Sequence, residues 1–143
     1  MTIKKLRLYL SINLLIEIKR TILNSENPII IVEGNKDKIS LKKILPNINI
    51  VTINERKFNT NLDNILKERE IFILTDFDEE GEKLYSKLKS LILNSNYKVN
   101  DKLRRLLKEQ QIITNSEIGG ILSKLIDIIE DSGYKIEDII NHI

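Results

Sequence analysis

The chain has no cysteine and only one histidine, His142, next to its last residue. Without cysteine there is no disulfide framework, no thiolate nucleophile and no zinc-ribbon site, a pattern that fits a reducing cytoplasm. His142 is too close to the chain end to be a good catalytic candidate. Aromatic residues are also few, three Phe and four Tyr with no Trp, so no platform for stacking single-stranded bases is evident and contacts to nucleic acid would be directed at its backbone. No long apolar run is present. Leu8 to Ile16 follows Lys4, Lys5 and Arg7 in the manner of a signal peptide, but Glu17, Lys19 and Arg20 interrupt it and no small-residue cleavage site follows. A transmembrane helix needs about twenty apolar residues, so the chain reads as soluble, cytoplasmic and without a membrane partner.

Neither sign of charge dominates. The formal charge of +2 does not by itself mark a nucleic-acid binder. The distribution is more informative: Lys4, Lys5, Arg7, Lys19, Arg20, Lys36, Lys38, Lys42 and Lys43 crowd the first third, while acids gather at positions 76 to 82. A basic surface beside an acidic pocket suits phosphodiester chemistry, and solvated helix faces account for the same pattern.

Two hydrophobic runs end in carboxylates. Pro28-Ile29-Ile30-Ile31-Val32 leads into Glu33-Gly34-Asn35-Lys36-Asp37, and Ile71-Phe72-Ile73-Leu74-Thr75 leads into Asp76-Phe77-Asp78-Glu79-Glu80-Gly81-Glu82. Short β-branched runs bounded by glycine and charge read as buried parallel strands, whose last residues point into the crevice where α/β proteins bind ligands. Glu33, Asp76 and Asp78 are therefore expected to converge. Carboxylates brought together raise one another's pKa unless a cation sits among them, and oxygen donors favour Mg²⁺ or Mn²⁺.

The remaining pattern alternates strand and helix, which predicts a parallel sheet with right-handed crossovers. Residues 5–23 fit either period, but no turn residue interrupts them and a strand of that length is uncommon, so a helix is expected. Asn24 to Pro28 is a linker. Strands are expected at 29–33, 48–53 and 70–75, with helices near 36–45, 60–69 and 79–94 and a polar loop from Asn54 to Asn59. Beyond Asn96, residues 101–110 read as a short basic helix and Ile112-Ile113 as a short strand. Ile118, Ile121, Leu122, Leu125, Ile126 and Ile129 form a helical stripe that Gly133 ends, and a last turn or two of helix covers 135–142. One domain over 1–143 is expected: N-terminal helix and linker (1–27), α/β core (28–99) and helical extension (100–143).

Val32-Glu33-Gly34 with Asp37, followed by Thr75-Asp76-Phe77-Asp78 with Gly81, resembles the Toprim domain shared by type IA topoisomerases, bacterial primases, OLD-family nucleases and the 5S ribosomal RNA maturases. The likeness runs from about Pro28 to Tyr97. Val99-Asn100, Leu103 to Leu106 and Glu117-Ile118-Gly119 are similar to the tails of short archaeal Toprim proteins. The resemblance implies a compact Toprim (Rossmann-like) α/β fold and a Mg²⁺ or Mn²⁺ site of Glu33, Asp76 and Asp78. It further implies that Glu33 is a metal ligand or the group that moves a proton at phosphorus, and that Gly34, Asp37 and Gly81 are motif positions.

Several assignments stay open at this level. Asp76, Asp78 and Glu80 reproduce the Asp-x-Asp-x-Glu pattern of the topoisomerases, so Glu80 is either a further ligand or a solvent-facing first-turn acid. Asp37 either matches the family's acidic position or caps the helix it opens. Arg104 and Arg105 either clamp phosphate or cover a helix face, and Lys36 and Lys38 are expected to flank the phosphate path. Tyr9, Tyr85, Tyr97 and Tyr134 read as core or surface aromatics, and the chain has neither the gate domain of a topoisomerase nor a primase's zinc module. The expectation is a small metal-dependent nuclease similar to the RNA maturases, with RNA favoured over DNA. It would act alone, as a homodimer or within a larger assembly; the alternative is a metal- and nucleic-acid-binding accessory module.

Overall fold

The computed structural model describes residues 1–54, 62–110 and 117–143. The ambiguous first segment is a helix, α1 (Ile3–Leu23), capped by the Thr2 side chain, which accepts the Lys5 amide at 3.1 Å. Its buried residues, Ser11, Leu15, Ile18, Thr21 and Ile22, follow the helical period, whereas Leu6 and Leu10, which fitted a strand, lie on the exposed side.

Four strands form one parallel sheet in the order β2-β1-β3-β4: β1 (Pro28–Val32), β2 (Asn49–Thr52), β3 (Glu70–Leu74) and β4 (Lys98–Val99). The helices between them are α2 (Asn35–Ile44), α3 (Leu62–Leu66) and α4 (Glu79–Asn94), followed by α5 (Lys102–Lys108), α6 (Ile118–Asp131) and α7 (Ile136–Asn141). This is a Toprim-like α/β arrangement, a parallel sheet flanked by helices with further helices at both ends. Two details differ from the sequence reading. β4 was not expected; it exists because Lys98 and Val99 pair with Glu70 and Ile71. α3 is shorter than the expected 60–69. Ile112-Ile113 and the loop beyond Asn54 lie outside the described residues.

The all-apolar strands follow from burial on both faces. Ile30, Val32, Phe72 and Leu74 face a core built from α1, α2, α5, α6 and α7. Their alternates Ile29, Ile31, Ile71 and Ile73 face a second core with α3 and α4. In the β1–β3 register Val32 lies opposite Leu74, so the residues after each leave the sheet side by side at its carboxyl edge. Because β2 lies on one side of β1 and β3 on the other, this edge is also the point where the strand order reverses, the usual ligand crevice of an open α/β sheet.

Candidate metal centre

Glu33 follows β1 directly, and its Oε2 accepts the backbone N–H of Asp76 at 2.7 Å. This contact brings the Glu33 carboxylate to the start of the second acidic segment. Burial, then the charges of Asp76 and Asp78, push the Glu33 carboxyl above its ordinary value, against the lowering effect of the Asp76 amide. Asp76 is half-buried, and its Oδ1 accepts the Ile118 N–H at 2.9 Å. Asp78 is more exposed. It caps α4, accepting the Gly81 amide at 2.7 Å.

Of the two roles open to it in the sequence, Asp37 is seen in the capping one. It sits in the first turn of α2, and its Oδ2 reaches back to the Gly34 N–H at 3.3 Å. Its Oδ1 accepts the Gly119 N–H at 2.9 Å. Burial, and next the charge of Asp76, raise its pKa. Two successive amides at the start of α6 thus hold one carboxylate from each acidic segment, where unpaired N–H groups and the positive helix end favour negative charge. Sequence reasoning noted Glu117-Ile118-Gly119 but not this contact. The available signal was Gly119-Gly120 opening an amphipathic helix: a Cβ on Gly119 would lie 3.0 Å from Asp37 Oδ1.

Glu80 is exposed on the first turn of α4, and no hydrogen bond among the described residues ties it to the other acids. Gly34 differs from expectation as well. Its backbone is extended and a Cβ there would meet open space, so the fold does not require glycine at this position. Gly81 is the opposite case, with Asp76 O 2.0 Å from where its Cβ would stand.

The basic residues separate. Lys36 is exposed and lines a hollow with Asp37, Ser40, Glu117 and Ser123. Lys38 is half-buried and has a partner within the fold. Arg105 is exposed on α5. Arg104 corrects the sequence expectation: it is 5 % exposed, and its guanidinium is engaged by protein carbonyls and Glu82 instead of being presented to a phosphate.

The donor chemistry fits a hard dication. Glu33 and Asp76 bring carboxylate oxygens to the same strand ends, and the charges of Asp76 and Asp78 add to burial in raising the Glu33 pKa, an environment that a cation would relieve. Among the described residues no three acids form a ready ligand shell. Oxygen donors are the kind Mg²⁺ takes, alongside waters and phosphate oxygens.

The raised Glu33 pKa has a measurable consequence. The folded chain holds this proton more tightly than the unfolded chain, so its contribution to stability is present at low pH and is lost as pH rises from 4.5, the ordinary glutamate value, through the raised folded value. Glu33→Gln removes that loss. In urea unfolding with EDTA between pH 4 and 8, the variant's stability relative to wild type should therefore rise with pH; parallel curves would show that Glu33 is not strained by its neighbours.

The Toprim domain family matches residues 28–108. The UPF0292 protein of Pyrococcus furiosus is 36 % identical over 93 residues, covering 65 % of this chain and 68 % of that protein. The UPF0292 protein of Methanocaldococcus jannaschii is 33 % identical over 103 residues, covering 71 % and 78 %. A solved structure of a protein from Aquifex aeolicus superposes with a TM-score of 0.58 at 26 % identity, over 71 % of this chain and 91 % of that one. Among the described residues no helix is long and apolar enough to cross a membrane. Toprim domains generally bind Mg²⁺ and serve metal-dependent functions on nucleic acid. With the match running from the first residue of β1 to the last of α5, the chain belongs to the Toprim domain family.

Proposed function

We propose that this protein is a metal-dependent phosphodiesterase that cleaves structured RNA. The observation that carries the reading is the meeting of Glu33 and Asp76 from adjacent strand ends, with Asp78 beside them, at the reversal point of the sheet. Asp76 and Asp78, with Glu33, would hold Mg²⁺ or Mn²⁺. When bound, the ion neutralises charge as the phosphodiester is attacked. The Asp76 amide fixes the Glu33 carboxylate at the crevice, where it exchanges a proton with an oxygen at phosphorus. Asp37 and the start of α6 keep the acidic segments in register. Lys36, on the rim of the neighbouring hollow, and Lys38 on the same helix guide the sugar–phosphate chain in, and Arg105 extends the basic rim on α5.

A second reading is a binding module that holds metal and nucleic acid without cleaving. It is favoured by the engagement of Asp76 Oδ1 with the Ile118 N–H, which gives that oxygen a structural partner. One experiment separates the two. Structured RNA, single-stranded RNA and duplex DNA are incubated with the protein in Mg²⁺, Mn²⁺ or EDTA, and binding is measured across a salt series in parallel. Cleavage of structured RNA that EDTA abolishes is expected; metal-dependent binding without cleavage supports the module. In the salt series, replacing Lys36 and Lys38 by Gln should flatten the slope of log affinity against log salt by roughly one to two units. The Lys4/Lys5 pair serves as the control, and an equal loss there would mean diffuse basic charge.

A further inference from the structure

The outer edge of β3 is only partly paired. β4 is two residues long, so its ladder covers Glu70 and Ile71, and the last strand-like bond is from Asn100 N–H to Ile71 O at 2.8 Å. The next carbonyls on that side belong to Ile73 and Thr75, the residues leading into the acidic turn. Arg104 reaches from α5 to where a longer strand would have run. Its Nη1 donates to Thr75 O at 2.8 Å and lies 3.4 Å from Ile73 O and 3.3 Å from Thr75 Oγ1. Its Nη2 donates to Glu82 Oε1 at 2.5 Å and lies 3.5 Å from Asp76 O. The guanidinium plane is held between the Phe77 and Tyr85 rings, 4.9 and 4.2 Å from their centroids.

These contacts surround the acidic turn. Thr75 Oγ1 donates to Gly81 O at 2.7 Å, Lys108 grips the other oxygen of Glu82 at 3.0 Å, and Phe77 lies between Asp76 and Asp78 in the chain. We infer that Arg104 is the positioning residue of the crevice: in place of a missing strand, it fixes the path from Ile73 to Glu82 and so the direction in which Asp76 and Asp78 present their carboxylates. Only a planar fork with several donors reaches three carbonyls and a carboxylate while lying over two rings, and lysine cannot. The inference rests on the reading of the crevice as a metal site, within which it assigns a role to a residue that touches neither metal nor substrate.

The test compares Arg104→Met, Arg104→Lys and Glu82→Gln by Mn²⁺ titration followed by electron paramagnetic resonance, with urea midpoints measured on the same preparations. Outer-shell support of this kind typically changes metal affinity by about 10- to 100-fold, so Arg104→Met and Arg104→Lys should each bind Mn²⁺ at least about tenfold more weakly. Glu82→Gln leaves the guanidinium buried and loosens only its outer hold. It should fold even where the arginine variants do not, and lose less Mn²⁺ affinity than they do while still falling measurably below wild type. Affinity is read on folded protein well below the unfolding transition, so a purely structural role lowers the urea midpoints and leaves Mn²⁺ affinity at the wild-type value, which would overturn the inference. Wild-type protein that binds no Mn²⁺ overturns the metal reading itself, and the inference with it.

Discussion

Asp76→Asn should leave the metal-free protein as stable as wild type or more so, while removing the Mg²⁺ response and the RNA cleavage that the proposed function expects. The amide keeps an oxygen for the Ile118 N–H, bonded at 2.9 Å, and turns an NH₂ toward Glu33 where a like charge stood. Repulsion becomes a hydrogen bond. Wild-type melting temperature should rise in millimolar Mg²⁺ through mass action on the folded state, and the variant's should not. Cleavage should fall about a thousandfold, equivalent to ~4 kcal/mol of transition-state stabilisation. Thermal scans in EDTA and in Mg²⁺, together with single-turnover rates, decide the matter: a variant that still gains stability from Mg²⁺ would place the ion elsewhere.

Gly81→Ala should be strongly destabilising for the fold. The added methyl would stand 2.0 Å from Asp76 O, 2.6 Å from the same carbonyl carbon and 2.9 Å from Asp78 Oδ1. A surface side chain can turn away from such a contact, but a backbone carbonyl held between Arg104 and the sheet cannot. Either α4 shifts and loses its Asp78 cap, or the acidic turn moves away from β1. The expected cost is about 3 kcal/mol or more, at the upper end of overpacking. Gly34→Ala, whose methyl meets open space, should stay within about 0.5 kcal/mol of wild type. Urea unfolding of the pair is the measurement, and equal stabilities would contradict the turn as described.

What was legible in the sequence follows from what periodicity can carry. β1 and β3 are apolar at every position because both faces are covered, and this pattern also places Glu33 and Asp76 at the strand ends. Residues 5–23 were separable by length, since the alternation of Leu6, Leu8 and Leu10 is contradicted only by the burial of Leu15, Ile18 and Ile22. β4 was not legible. Two residues carry no period, and Lys98-Val99 is a strand only because Glu70 and Ile71 are there to pair with it.

The site was partly legible for the same reason. Motif spacing gave the acids, but the amides that orient them belong to Ile118 and Gly119, distant in sequence and without side-chain chemistry to announce a role. Arg104 and Arg105 look alike in a basic helix. Their difference lay in the helical period, because Arg104 falls beside Leu103 and Leu107 on the buried stripe while Arg105 turns outward.

The guanidinium at the rim of the sheet also bears on whether this strand edge can pair with another chain. A strand edge with open carbonyls is a template for another chain, and natural sheets blunt such edges with charge, bulges or a covering element. Beyond Ile71 the β3 edge has a cation on its carbonyls and α5 over them, so an incoming strand would find its acceptors occupied and would have to expel a buried charge to reach them. The edge of this sheet is closed to edge-to-edge aggregation at the point where the acidic turn begins.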